Sequence, residues 1–139
     1  MIVLDTNVYL DAYRDAGLAR RLAAHAEERK TVVGLSSVVV AELLAGVRST
    51  AERRRLLRET VETVELANVV TPTDVDWMDA GDALQRLGGD AVTKGRSFWN
   101  DLLIATSCAR AGATLLTSNV RDFERISRVV PVSIEARPD

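Results

Sequence analysis

Short apolar segments without polar alternation recur along this chain, and segments with helical spacing lie between them. Examples are residues 2–4, 31–35 and 114–116. An uninterrupted apolar run is typical of a strand buried on both faces, as in a parallel sheet with helices packed on each side. The alternation of strands and helices predicts a single α/β domain over residues 1–139, with three layers and a central parallel sheet of about five strands.

The same patterns predict where the individual elements lie. Strands are expected at residues 2–4, 31–35, 69–70, 114–116 and 129–132, with helices near 8–13, 18–26, 38–47, 51–65, 74–87, 102–111 and 120–125. Ser36 or Ser37 is expected to cap the helix that contains Glu42. Residues 90–97 have no convincing periodicity and are expected to form a mobile loop, with Asp101 just after it in the first turn of a helix.

Composition excludes several classes of protein. Hydrophobic residues make up 47% of the 139 residues, which is enough for one buried core. The only cysteine, Cys108, excludes an internal disulfide, and no segment has the character of a signal peptide or a membrane span. We therefore expect a cytoplasmic protein without membrane contact. The formal net charge of −2 means that a polyanion must be bound by local positive charge.

Three acidic residues stand in apolar surroundings, where an unpaired carboxylate would be costly to bury. Asp5 follows the first strand directly, and Glu42 and Asp101 interrupt apolar helical segments. In an open parallel sheet, ligands bind beyond the carboxyl ends of the strands. We expect these three carboxylates to meet at that edge, together with Asn119 and Asp122, which follow the strand at 114–116.

Carboxylates at close range raise one another's pKa unless a cation compensates their charge. Oxygen ligands without His or Cys favour a hard cation, Mg²⁺ or Mn²⁺, over zinc. Such an ion can clamp a phosphodiester, lower the pKa of a bound water and stabilise charge in the transition state. The acidic residues therefore predict metal-assisted hydrolysis of a phosphate ester.

Four segments, in their order along the chain, closely resemble PIN domains, and more narrowly VapC-type toxins of bacterial and archaeal toxin–antitoxin pairs. They read IVLDTN at 2–7, SVVVAEL at 37–43, NDLLIA at 100–105 and LTSNVRDF at 116–123. No single motif is specific, but the order and the chain length also match. The resemblance implies a PIN-like fold over nearly the whole chain and an endoribonuclease that uses Mg²⁺ or Mn²⁺.

The resemblance also implies roles for individual residues. Asp5, Glu42 and Asp101 match the metal-binding acids of the family. Either Asn119 or Asp122 completes the site. The number of metal ions that the site would hold, one or two, is left open. Polar residues of the same motifs, expected to orient these acids, are Thr6, Asn7, Thr117 and Asn119. By the same resemblance the partners would be RNA, a cognate antitoxin and a second copy of the chain in a homodimer.

Basic residues allow two interpretations. Sixteen of the 18 basic residues are Arg, whose planar fork suits phosphate. The densest group is interleaved with Glu52, Glu59 and Glu62, so a salt-bridged surface is one interpretation. The other is contact with RNA or with a protein partner. The candidates for such contact are Arg48, Arg54, Arg58, Lys94 and Arg96.

Other readings of the chain stay open. Asp5, Asp101 and Asp122 are also suited to structural roles as helix caps or dipole partners. Trp77 and Trp99 are expected in the core rather than as stacking platforms. A non-catalytic binding module with the same fold is one alternative function. A haloacid dehalogenase-like phosphatase is another, although that class needs an Asp where this chain has Asn7.

Overall fold

The computed structural model describes residues 1–88 and 95–139. Five strands, all parallel, form one sheet in the order β3-β2-β1-β4-β5. They are β1 (Ile2–Leu4), β2 (Val33–Ser36), β3 (Val69–Val70), β4 (Thr114–Thr117) and β5 (Ser133–Ala136). Because β1 is the central strand, its carboxyl end lies at the middle of the sheet edge.

Seven α-helices lie in the described residues. They are α1 (Thr6–Arg14), α2 (Ala16–Glu28), α3 (Ser37–Ala45), α4 (Thr50–Leu56), α5 (Asp74–Leu87), α6 (Arg96–Ala111) and α7 (Val120–Ser127). A π-helical turn, Leu57–Val61, continues α4. No helix in the two described ranges is long and apolar enough to cross a lipid bilayer.

The strands separate two hydrophobic layers, because successive side chains of a strand point to opposite faces. Val3 and Leu115 pack in a core that includes residues of α3, α5, α6 and α7. Ile2, Leu4 and Leu116 pack on the other face against residues of α1 and α2. Each fully buried aliphatic side chain stabilises the fold by about 1.5–3 kcal/mol. The predicted three-layer α/β domain is confirmed.

Local side-chain chemistry explains where the helices begin. Ser36 accepts a hydrogen bond from the backbone N–H of Val39 at 3.5 Å, so the first of the two serines expected to cap α3 is the one that does so. At the start of α5, Thr73 and Asp76 form a reciprocal capping box. Helix α6 ends at Gly112, which adopts a left-handed conformation with φ of 65°.

Three element predictions are wrong. The helix expected at 51–65 ends at Val61 with the π-helical turn. The last strand was expected at 129–132 but lies at Ser133–Ala136. The backbone N–H of Val130 binds the carbonyl of Ile126, so the start of this apolar run completes the C-terminal end of α7. Val130 and Val132 then pack in the core before β5 begins to pair with β4. Helix α6 starts at Arg96, which places Asp101 in its second turn rather than its first. Residues 90–94 of the expected loop lie outside the described residues.

The prediction of a core position for Trp77 is also wrong, since its side chain is 55% exposed. The buried stripe of α5 consists of Asp76, Ala80 and Ala83, at helical spacings of four and three. Position 77 lies outside this stripe. Trp99 is partly buried and packs against the core, as expected.

Candidate active site

Asp5 lies at the carboxyl end of the central strand and caps the N-terminus of α1. Its Oδ1 accepts a hydrogen bond from the backbone N–H of Thr6 at 2.7 Å. Its own N–H binds the carbonyl of Leu116 at 2.9 Å, which holds Asp5 in line with the neighbouring strand. The residue is only 4% exposed. Asp5 is therefore both a helix cap and a buried carboxylate at the sheet edge.

Thr117 connects Asp5 to the loop after β4. Its Oγ1 donates to Asp5 Oδ2 at 2.9 Å and accepts from the backbone N–H of Asn119 at 2.8 Å. The side-chain Nδ2 of Asn119 in turn donates to Asp122 Oδ2 at 2.9 Å. One fully buried hydroxyl thus joins the ends of β1 and β4 and aligns Asn119 with Asp122.

Glu42 reaches the same edge from α3. The hydroxyl of Thr6 donates to Glu42 Oε1 at 2.8 Å, although the two residues are 36 positions apart. Thr6 therefore contacts Asp5 through its backbone and Glu42 through its side chain. We name the continuous hydrogen-bonded set the acidic network; it consists of Glu42, Thr6, Asp5, Thr117, Asn119 and Asp122.

Electrostatics within the acidic network affect Asp5 most clearly. Burial raises the pKa of Asp5 above its ordinary value, and the nearby charge of Glu42 acts in the same direction. The hydrogen bonds from Thr117 and from the backbone of Thr6 oppose this effect only in part. The site therefore holds a carboxylate whose ionised form would be stabilised by an added positive charge.

Asp101 lies in the second turn of α6 and is partly buried. Helix α6 packs against both α3 and β4, the elements that carry Glu42 and Thr117. Asn100, the residue before Asp101, lines a depression of about 410 Å³ together with Glu42 and Arg96. Asp101 is thus on the helix that borders the acidic network, and a direct role in the site stays a prediction.

The donor chemistry of the network fits a divalent hard cation. The carboxylates of Asp5 and Glu42 both accept hydrogen bonds from Thr6, and in the described part of the chain neither has a Lys or Arg nitrogen within 4.0 Å. Within the same residues, no three His, Cys, Asp or Glu side chains form a cluster that would hold a metal. The predicted ligand set of Asp5, Glu42 and Asp101 therefore stays a prediction.

The remaining predicted residues have different surroundings. Asn7 is exposed in the first turn of α1. Arg48, Arg54 and Arg58 are exposed on or beside α4, where neighbouring Arg55 pairs with Glu59 at 3.0 Å. The salt-bridged interpretation of this surface is thus correct for that one pair. Lys94 lies outside the described residues. Of the basic candidates, Arg96 alone shares a depression with Glu42 among the residues described.

Three basic residues beside the network did not figure among the predicted contacts. Arg121, Arg125 and Arg128 line a depression of about 650 Å³ with Asn119 and Asp122. Their spacing of four and then three residues is a visible sequence signal, because such positions share one face of a helix. The basic cluster around Arg54 contains more arginines and is the more prominent signal in the sequence.

Comparisons with known proteins agree on the fold. A search of curated protein sequences finds no match. Among solved structures, VapBC-1 of nontypeable Haemophilus influenzae is 26% identical with a TM-score of 0.65, covering 98% of this chain and 98% of that chain. DNA-bound VapBC of Salmonella typhimurium is 22% identical with a TM-score of 0.74, covering 99% and 100%.

A third solved structure, VapBC2 of Rickettsia felis bound to a promoter DNA fragment, is 24% identical with a TM-score of 0.69 and covers 98% of each chain. The family model of the PIN domain matches residues 2–129. This match includes every member of the acidic network and Asp101. The chain belongs to the PIN domain family.

Proposed function

We propose that this protein is a metal-dependent endoribonuclease that hydrolyses RNA phosphodiester bonds, and that it is the toxin of a type II toxin–antitoxin pair. The observation that carries the proposal is the acidic network, which joins Glu42, Asp5 and Asp122 through Thr6, Thr117 and Asn119. These acids come from three separate elements yet occupy one edge of the sheet.

Asp5, Glu42 and Asp101 would hold Mg²⁺ or Mn²⁺. When bound, the ion would supply positive charge at the phosphate and lower the pKa of a coordinated water. Thr117 and Thr6 orient the carboxylates of Asp5 and Glu42 through hydrogen bonds of 2.9 and 2.8 Å. Since burial raises the pKa of Asp5, a compensating cation would also favour the ionised carboxylate that binds it. Asn119 donates a side-chain hydrogen bond to Asp122 and a backbone hydrogen bond to Thr117, and so joins Asp122 to the same network.

Membership of the PIN domain family and the likeness to three VapBC structures support the toxin assignment. They also favour a nuclease over the haloacid dehalogenase-like alternative. The cognate antitoxin is part of the proposal, and so is a cytoplasmic homodimer, which stays a prediction. A non-catalytic binding module remains the competing function, and Mn²⁺ binding distinguishes the two.

The test is incubation of the purified protein with total RNA and Mn²⁺, followed by mapping of the cut ends. We expect discrete cleavage that is abolished by Asp5→Asn, by Glu42→Gln and by a chelator. Asp79→Asn is the matched control, because Asp79 is an exposed carboxylate on α5 that lies outside the acidic network. It should cleave as the wild type does.

Equal cleavage by Asp5→Asn would contradict the proposal, because the cleavage would then not depend on the acidic network. Calorimetry adds a readout that does not need the correct RNA. The wild type should bind Mn²⁺ and Asp5→Asn should not, whereas a wild type without Mn²⁺ binding would favour the non-catalytic module. Induced expression should arrest growth of the host, and the Asp5→Asn protein should not.

A further inference from the structure

Three arginines form a row on one face of α7 and its C-cap. Arg121, Arg125 and Arg128 are separated by four and three residues, the spacing that places side chains on one side of a helix. Arg121 and Arg128 are exposed, whereas Arg125 is partly buried. From Arg121 to Arg128 the helix rises by about 10 Å. We call these residues the arginine row.

The arginine row forms no salt bridge with any of the residues that the structure describes. Elsewhere Arg29 binds Glu135 at 2.6 Å and Arg110 binds Asp76 at 2.8 Å. None of the three guanidinium groups of the row has a carboxylate oxygen within 4.0 Å in the residues described. Their hydrogen-bond donors are therefore available to an external anion.

The local charge opposes that of the whole chain. The depression of about 650 Å³ beside α7 is lined by the three arginines, Asn119 and Asp122, so its lining carries three positive formal charges and one negative. The complete chain has a net charge of −2. An anionic ligand is thus attracted to this depression and not to the surface in general.

The position of the row relates it to the acidic network. Asn119 and Asp122 belong both to the depression and to the hydrogen-bonded set that contains Asp5. Arg96 lies in a different depression, which it shares with Glu42. Positive charge therefore borders the acids both beside α7 and beside α3. A nucleic-acid strand that crosses the acids would need positive charge on both sides.

The shape of the row favours a polymer over a small anion. Three forks spread over about 10 Å can bind successive phosphates of one strand, each by paired N–H groups. A folded protein with surface carboxylates would instead gain from apolar contact area, which this largely polar lining does not provide. Single-stranded nucleic acid is the ligand that matches charge, spacing and location.

We propose that Arg121, Arg125 and Arg128 bind the phosphates of single-stranded RNA next to the site of cleavage. The proposal rests on the function proposed above, and it assigns the substrate backbone to α7 and its C-cap rather than to the arginines near α4. Contacts to phosphates give affinity and register without reading sequence. The row would therefore hold the scissile strand against the acids whatever its bases.

The test measures binding of a fluorescent single-stranded RNA by anisotropy over a series of salt concentrations, in chelator so that no cleavage occurs. The test variant is Arg121→Ala/Arg128→Ala, which spares the partly buried Arg125. The matched control is Arg20→Ala/Arg86→Ala, which removes the same charge from exposed positions on α2 and α5. Melting temperatures verify that both variants are folded.

We expect the α7 variant to bind RNA at least about tenfold more weakly than the control variant. The slope of log K against log salt should decrease by about 1.4, since each phosphate contact to a single strand contributes about 0.7. Arg121→Lys/Arg128→Lys should restore the slope, because it keeps the charge. Single-stranded DNA of the same sequence should show the same loss, because it presents the same phosphates.

Equal RNA affinity and slope in the α7 and control variants would overturn the proposal. A loss limited to RNA, with DNA unaffected, would place the contacts on the ribose and would also overturn it. A third probe is a fluorescent oligoglutamate peptide. If the α7 variant loses binding to this peptide but keeps RNA, the row binds an acidic protein segment and the proposal is wrong.

These outcomes are separable from failure of the proposed function. Row-dependent RNA binding by a wild type that never cleaves RNA with Mn²⁺ would contradict the nuclease and keep the binding surface. If Asp5→Asn abolishes cleavage but RNA binding does not depend on the arginine row, the nuclease proposal is supported and the binding-surface proposal is wrong.

Discussion

Substitution of Thr117 by valine should weaken both the fold and the site, because one buried hydroxyl serves both. Thr117 is fully buried and its Oγ1 makes two hydrogen bonds, to Asp5 Oδ2 at 2.9 Å and from the Asn119 N–H at 2.8 Å. Valine has nearly the same shape, so the change removes these bonds without opening a cavity. Thr117→Ser is the matched control, since it keeps the hydroxyl and loses one methyl group.

The magnitude follows from the two bonds. A hydrogen bond to a charged group is worth about 1.5–3 kcal/mol, and a neutral one about 1 kcal/mol. Asn119 is partly buried, so water can replace part of its loss. We expect Thr117→Val to lower the free energy of unfolding by about 2–3 kcal/mol, and Thr117→Ser by about 1 kcal/mol through the lost methyl group. Urea denaturation in the presence of a chelator measures both values.

The same change should act on the site. Loss of a hydrogen bond that orients a metal-binding carboxylate typically lowers metal affinity by about 10–100-fold. The hydrogen bond from Thr117 also lowers the pKa of Asp5, so its removal raises that pKa further. The acidic limb of the cleavage rate against pH should then move to higher pH. If Thr117→Val matches Thr117→Ser in Mn²⁺ affinity and pH profile, the reasoning about the site is refuted.

Two further predictions concern stability. Burial alone would raise the pKa of Asp76, but hydrogen bonds from Thr73 and the adjacent Arg110 hold it below its usual value. Asp76 therefore stabilises the fold above the unfolded pKa of about 3.9, and this contribution disappears as pH falls through the lower folded pKa. Asp76→Asn should lower the free energy of unfolding by about 1–2 kcal/mol at pH 7, a value discounted because Arg110 is 42% exposed. This cost should decrease as the pH is lowered through the folded pKa of Asp76, and a cost that does not change with pH would contradict the reasoning. Gly34→Ala should destabilise by about 1–3 kcal/mol in urea denaturation, because the added methyl would lie 2.8 Å from the carbonyl oxygen of Asn68; an unchanged midpoint would show that the β2 backbone yields.

Much of the fold was predictable because its signals are local. Residues 2–4, 69–70 and 114–116 are apolar runs whose length and ends predict strands, and the structure has strands there. The apolar run at 129–132 was wrongly predicted to be the last strand. Val130 and Val132 are buried in the core and Val129 is partly buried, all before the chain reaches the edge strand. Hydrophobicity alone does not distinguish such a core segment from a strand.

The candidate site was partly predictable for the same reason. A carboxylate that directly follows a buried strand, as Asp5 does, lies at the sheet edge in any parallel arrangement. The sequence could not show that Thr6 would reach Glu42, because that contact depends on how α3 packs beside α1. Nor could it show that Trp77 is exposed, since this depends on which face of α5 packs against α6.

The amino-acid sequence by itself therefore determines the hydrophobic periodicities, the helix caps and the order of the acids along the chain. The periodicities and caps depend only on neighbours within a few residues. Which residues hydrogen-bond to the acids is decided by the tertiary structure. Asp5 and Thr117 are 112 residues apart, and they meet because parallel pairing aligns Leu4 with Leu116 at the ends of β1 and β4. Pairing register and helix packing are non-local, and so the acidic network and its proximity to the arginine row exist only in the folded protein.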